Sequence, residues 1–259
     1  MNDKDSRKKV YNDEAEEQRL LRQFDIISSQ YALATRIDPN KRYVQYPESL
    51  RMIGDPGGAV ILDIGCANGT FTRMMRCAGA GEIIGFDPSE NELTDARNEE
   101  AERPLGIRYV SDYSQIPTGK RFDLVTVIMV FPAVTSRQLE EIFTRSSKFL
   151  KMEGKLVAVT LNPDFSRFGE VVNGRIFSRR ADGRIGIDFL DDGGKKYMSI
   201  IDTYFSMTDV ERAARKAGFA NVRWEALKID PAGIEKYGTD YWAGYEEDCP
   251  YIGFVASRG

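Results

Sequence analysis

An α/β fold with a doubly wound, mostly parallel sheet is predicted by three observations. Short apolar runs alternate with stretches of helical period between residues 59 and 160. The first run passes straight into a glycine-rich turn, Val60-Ile-Leu-Asp63-Ile-Gly65-Cys-Ala-Asn-Gly69-Thr70. Three consecutive runs end in an acid: Asp63, Asp87 and Asp112. That spacing sets three carboxylates along one edge of the sheet, the edge where open α/β sheets bind ligands.

Residues 1–10 are charged and read as disordered. A helix is expected from Asn12 to about Tyr31, because Leu20, Phe24 and Ile27 share a face and Asp13, Glu14, Glu16 and Glu17 suit a helix N-terminus. Residues 36–47 read as an irregular bridge, and Pro47 opens a short helix to about Ile53. Strands are expected near 59–64, 82–86, 106–110, 122–128 and 155–160. Helices are expected near 69–78, 89–102 (with Ser89 as its cap) and 136–150.

The rhythm breaks at 163–205. Two strand-like runs flank Asp191-Asp-Gly-Gly194, which reads as a β-hairpin inserted after the fifth strand. It either covers the substrate or faces outward and serves dimerisation. A helix follows at 207–217 with Thr208 as candidate cap, then a sixth strand at 221–227 and a seventh at 251–257. The expected division is an N-terminal helical lid, 1–55, and a ligand-binding domain, 56–259, carrying the insertion at about 163–205.

Composition narrows the function. Hydrophobic residues make up 42% of the 259, enough for a full core. Asp and Glu number 40 against 36 Lys and Arg, so no polyanion-binding surface and no nucleic-acid partner are expected. Three cysteines without metal spacing imply a reducing, cytoplasmic setting, with no disulfide framework and no metal site. The polar start and the lack of any 18-residue apolar run predict neither a signal peptide nor membrane contact. Histidine is absent altogether, which excludes His-dependent triads and the usual near-neutral base. Acid–base work must fall to Asp, Glu, Tyr, Lys, Cys or water.

The glycine-rich turn separates cofactor classes. Gly65 and Gly69 permit a sharp bend and close approach to a ligand. A dinucleotide fingerprint needs a third glycine, and Thr70 stands in its place. Asp63 is costly to bury alone, so it either holds the turn or reaches a ligand's cation. Asp87, 24 residues further on, is placed for both hydroxyls of a ribose; its competing role as helix cap already suits Ser89.

These residues resemble the first motifs of the class I S-adenosylmethionine (SAM) methyltransferases. The resemblance implies a Rossmann-like methyltransferase fold, a seven-stranded, mostly parallel sheet with its last two strands as an antiparallel edge. It implies SAM as cofactor and S-adenosylhomocysteine (SAH) as product. The implied cofactor residues are Asp63, Gly65, Cys66, Ala67 and Gly69 at the first turn, Asp87 and Pro88 at the second, Asp112 and Tyr113 near the adenine, and Met129 after the fourth strand.

Phe24-Asp-Ile-Ile-Ser-Ser-Gln-Tyr31, Pro39-x-x-Arg42-Tyr43-Val44 and Tyr241-Trp242-x-x-Tyr245 resemble the toxoflavin synthase-like small-molecule methyltransferases. That likeness implies a heteroaromatic secondary-metabolite acceptor, with N-methylation favoured. Phe131, ending the fourth strand, is the expected floor of the acceptor site. Tyr204, Tyr241, Trp242 and Tyr245 offer flat faces for stacking, or serve ordinary packing. By the same likeness Tyr31 closes over the methyl end, or it anchors the N-terminal helix. Glu246 or Asp248 takes any departing proton, or both are solvated loop charges. The partners expected are a small-molecule acceptor and, at most, a second copy, since the chain reads as a monomer or homodimer. Three rivals stay open: a macromolecule methyltransferase, a SAM-binding protein with a regulatory or non-methyltransferase role, and a nicotinamide oxidoreductase.

Overall fold

The computed structural model describes residues 14–20, 22–23, 38–191 and 193–258. Seven strands form one sheet: β1 (Val60–Ile64), β2 (Glu82–Phe86), β3 (Arg108–Val110), β4 (Phe122–Ile128), β5 (Leu150–Leu161), β10 (Phe219–Ala226) and β11 (Tyr251–Arg258). Their order is β10-β11-β5-β4-β1-β2-β3. The strands from β5 to β3 run parallel, and β11 is antiparallel to both neighbours. The doubly wound sheet with an antiparallel edge is the arrangement expected from the sequence.

The strands β1, β2 and β4 are buried almost throughout, as parallel strands covered on both faces must be. One face packs Phe131, Phe143 and Phe254 beneath α4 (Ser136–Phe149) and α5 (Met207–Lys216). The other packs Ile61, Val157 and Val159 against α1 (Tyr46–Ile53). Each large apolar side chain so buried stabilises the fold by about 1.5–3 kcal/mol.

Helices α2 (Thr70–Cys77) and α3 (Glu90–Glu102) follow β1 and β2. Ser89 caps α3 through the Glu92 amide, as the sequence suggests. The cap of α5 is Ser206 rather than Thr208, because Ser206 and Asp209 close a capping box. The stretch read as an irregular bridge contains a π-helical turn, Lys41–Gln45, that runs directly into α1. Met52 and Ile53 of α1 sit in the core, and Lys155 Nζ donates to their carbonyls at 3.1 and 2.8 Å.

The insertion is more than a hairpin. Strands β8 (Ile185–Leu190) and β9 (Lys196–Asp202) pair around the expected turn, and β6 (Val171–Val172) and β7 (Arg175–Arg179) extend them to a four-stranded antiparallel sheet. Burial alternates along it. Arg175 and Phe177, then Ile185, Ile187 and Phe189, then Met198, Ile200 and Asp202 all face inward. This face joins the core around Leu161 and Tyr251.

The described N-terminal residues, 14–20 and 22–23, are helical and lie on the β9 edge. Gln23 Oε1 accepts from the Ile201 amide at 2.7 Å and Gln23 Nε2 donates to the Ile201 carbonyl at 3.3 Å. Arg19 donates to the same carbonyl at 3.1 Å. Leu20 is buried; Phe24, Ile27 and Tyr31 lie outside the described residues.

Candidate active site

The C-terminal ends of β1, β2 and β4 carry the site. After Ile64 the chain turns through Gly65, whose φ of +73° favours glycine. A Cβ there would stand 2.2 Å from Val130 Cγ2, so the turn is pressed against the end of β4. Gly65 and Cys66 amides both donate to the Phe86 carbonyl, at 2.7 and 3.0 Å. Gly69 (φ +78°) opens α2, and a Cβ on it would meet the Tyr109 hydroxyl at 2.3 Å. Of three non-glycine residues in the left-handed region among the described residues, two are Ala67 (φ 46°) and Met129 (φ 58°). Both border one cleft, and strained backbone of this kind collects at ligand sites.

Asp63, 2% exposed, accepts from Thr72 Oγ1 at 2.6 Å and from Thr126 Oγ1 at 2.7 Å. The acid thus ties β1 to α2 and β4 while still lining the cleft. Burial pushes its pKa up to about 6 against the pull of those two hydroxyls. Asp87 accepts from the Ala67 amide through Oδ2 and from the Ser89 amide through Oδ1, each at 2.9 Å. It therefore joins the glycine-rich turn to the start of α3; burial raises its pKa against those two amides.

Pro88, beside it, is exposed. Asp112 is exposed and caps the short 3-10 turn Tyr113–Gln115, and its hydrogen bonds from Ser114 hold its pKa low. Tyr113 stacks on Phe86 at 3.8 Å, and the Arg145 guanidinium lies 4.5 Å from its ring centre.

The cleft is lined by two acids (Asp63, Glu92), one cation (Lys41), small polar groups (Asn68, Thr70) and apolar surface (Phe71, Ile128, Met129). Two acids against one cation suit a cofactor with a cationic amino-acid end better than a pyrophosphate. A second cavity lies under the inner face of the four-stranded sheet, walled by Ile187, Phe189, Ile200 and Tyr251. Lys41 and Met129 line both, so the two spaces lie on either side of the same two residues. Asp38, Gln45, Arg175 and Asp202 complete the second cavity.

The structure distributes the residues expected at the acceptor more widely. Phe131 is fully buried on the opposite face of the sheet, stacked on Phe143 at 5.5 Å and Phe254 at 5.9 Å. Trp242 (4% exposed) donates through Nε1 to the Gly233 carbonyl, and Tyr245 (fully buried) donates to Asn40 Oδ1 at 2.7 Å. Tyr241 stacks on Tyr237 at 4.8 Å, joining Trp242 and Tyr245 in one aromatic cluster around the turn that leads to α1.

Tyr204 borders a different cleft, next to Thr135 and Asp209. Glu246 is exposed and accepts from the Ile229 amide; Asp248 accepts from Ser166. The sequence reading missed Asp202, Arg175 and Lys41. Asp202 carried a visible signal, since it ends an apolar strand in an acid just as Asp63, Asp87 and Asp112 do.

Residues 61–154 match the family model described as "Methyltransferase domain". Ubiquinone biosynthesis O-methyltransferase of Bradyrhizobium diazoefficiens is 28% identical over 131 residues, 50% of this chain and 51% of that protein. The chain thus spans about half the length of that relative. A SAM-dependent methyltransferase from Mesorhizobium loti superposes with a TM-score of 0.59 at 22% identity, covering 83% of this chain and 97% of that one. SAM-bound CalS10, an amino pentose methyltransferase from Micromonospora echinaspora, superposes with a TM-score of 0.59 at 18% identity, covering 88% and 96%. At such identities the superpositions establish the fold, which is the Rossmann-like methyltransferase fold. The family match places a methyltransferase domain within this fold at residues 61–154. Among the described residues no helix is long and apolar enough to cross a membrane.

Proposed function

We propose that the protein transfers a methyl group from SAM to a small-molecule acceptor. One observation carries the reading: the cleft at the glycine-rich turn and the cavity under the second sheet are adjacent, with Lys41 and Met129 bordering both. A donor held in the first and an acceptor held in the second would be neighbours. The acceptor space is roofed by β7, β8 and β9, which suits a small molecule better than a polynucleotide or a folded protein.

When bound, SAM supplies a methyl group already activated by a sulfonium, so the protein's tasks are alignment and exclusion of water. Asp87 would hold the ribose hydroxyls while keeping the Ala67 amide in place. Asp63 and Glu92 would set negative charge near the cofactor's cationic end, and Asp112 would lie toward the adenine. The second sheet and the N-terminal segment docked on its β9 edge would shut the acceptor in. The walls Ile187, Phe189, Ile200 and Tyr251 are apolar, with polar groups at one end; the cavity, about 30 Å³ here, would have to widen to admit a heteroaromatic metabolite methylated at nitrogen or oxygen.

Calorimetry of SAH, followed by product mass spectrometry on azaheterocycles, phenols and amines, tests the reading. Binding of SAH and a 14-dalton gain on a small molecule are expected, the mass of one methyl replacing one hydrogen. No SAH binding, or methylation confined to proteins or nucleic acids, would overturn it.

A further inference from the structure

The cavity under the second sheet holds two acceptor oxygens without donors. Asp202 ends β9 at 3% exposure, and its Oδ1 has no hydrogen-bond partner among the described residues. Gln45 Oε1, on a residue 1% exposed, is in the same condition. Both residues line the cavity, and the inward period of β9 (Met198, Ile200, Asp202) sets Asp202 on the cavity side of the sheet. A buried polar atom left unpaired is costly and marks a site that something else completes.

The other buried acids among the described residues are not left so. Asp63 spends its oxygens on two threonine hydroxyls, Asp87 on two backbone amides, Asp38 on Arg175 and Asn40, and Glu48 pairs with Arg51. A carboxylate serving only the fold would be expected to do the same.

We infer that Asp202 accepts the proton released in methyl transfer, and that the acceptor molecule presents an O–H or N–H to it. The inference rests on the small-molecule methyltransferase reading and narrows it. The acceptor's oxygen or nitrogen lone pair forms the bond to the methyl carbon. The carbon–sulfur electron pair stays on sulfur and cancels the sulfonium charge. The O–H or N–H proton moves to the Asp202 carboxylate, which returns it to solvent. A proton-free aromatic nitrogen gives these oxygens nothing to accept, so hydroxyl- or amino-bearing molecules are the class selected.

The charged surroundings fit this role. Asp38 and Lys41 face the cavity from the segment before α1, Arg175 from β7 and Tyr251 from β11. Arg175 is committed to Asp38 at 2.6 Å, and Arg19, on the N-terminal segment, is held by Glu16 and the Ile201 carbonyl. Burial therefore dominates at Asp202 and lifts its pKa to about 7, with Arg19 pulling the other way. A base poised near neutrality is what the lack of histidine otherwise denies this chain.

The test uses the full chain and its D202N variant with SAM and five probes: catechol, 4-hydroxybenzoate and 2-aminophenol against pyridine and quinoline. Transfer is expected to the first three. D202N should lose at least about 100-fold in kcat, the scale of general-base catalysis, while its SAH affinity by calorimetry stays within about twofold. The wild-type kcat should rise with pH through about 7 and the variant's should not. Catechol binding to the SAH-saturated protein should weaken at least about tenfold in D202N.

Preferred transfer to pyridine or quinoline, or an unchanged pH profile in D202N, overturns the inference. So does catechol affinity that is equal in the two proteins or undetectable in both. Any of these with SAH binding intact leaves the methyltransferase reading standing, whereas no SAH binding in the wild type removes both.

Discussion

Asp38 and Arg175 form an ion pair, Oδ2 to Nη2 at 2.6 Å, with side chains only 5% and 8% exposed. It joins the segment before α1 to the first inward residue of β7. Burial opposes both charges, yet each partner outweighs that: the pKa of Asp38 lies below its ordinary value and that of Arg175 above. Asn40 adds its amide and side-chain donors to Asp38 Oδ1 at 2.9 and 3.1 Å, and the guanidinium lies over the Phe189 ring at 4.8 Å. The pair therefore fixes the second sheet over the cavity beneath it.

Removing one partner strands the other charge. Arg175→Met should destabilise the protein by about 3–5 kcal/mol in chemical denaturation. The double variant with Asp38→Asn should cost clearly less than the sum of the two single changes. Additive losses would mean that the two groups do not act as a pair.

Asp202 makes a distinct prediction about stability. Its folded pKa, about 7, lies above its unfolded value of 3.8. Such a group contributes stability fully present below the unfolded pKa and lost as pH rises through the folded one. D202N removes that loss. The variant should match the wild type near pH 4 and be more stable at pH 8, by on the order of 3 kcal/mol. Thermal melts at the two pH values measure it, and an equal gap at both would contradict the buried, titrating carboxyl.

Asp87 joins the glycine-rich turn to α3 through two backbone amides and is also the acid placed for a ribose. Asp87→Ala should weaken SAH binding at least about tenfold by calorimetry, through loss of one or two hydrogen bonds. Unchanged affinity would take Asp87 out of the cofactor site.

Much of this was legible before the fold was seen, for physical reasons. Parallel strands covered on both faces must be apolar, so β1, β2 and β4 announce themselves, and a charge at their ends stands out. The second sheet shows itself only in part. Its hairpin has a turn signature, whereas β6 is two residues long and β7 mixes Arg, Ser and Ile.

Phe131 illustrates a different limit. A strand followed by Phe-Pro shows that the ring lies near the ligand edge, but the face it takes depends on a single bend after Met129, and that bend carries it under α4. The aromatic run 237–245 reads as a pocket because it sits in polar sequence; its partners, Tyr43 and Asn40, lie some two hundred residues earlier and no local pattern reveals them. Pro39 and Pro47 suggest breaks around 41–45, yet Pro39 opens the helical stretch and Pro47 follows the π-helical turn without interrupting it.

The N-terminal segment meets the second sheet through Gln23 and the two backbone groups of Ile201. If it closes over a filled site, hydrogen exchange across residues 14–23 and at the Ile201 amide should slow when SAH is added, and Gln23→Ala should blunt the effect. Exchange that ignores SAH would make the segment a fixed part of the fold.

The account's central claim is tested most directly by incubating the full chain with methyl-labelled SAM and a metabolite extract supplemented with protein and nucleic acid, then locating the label. Label in one or a few small molecules is the predicted result. Label only in the macromolecular fraction, or none in any fraction while SAH binds, would contradict it.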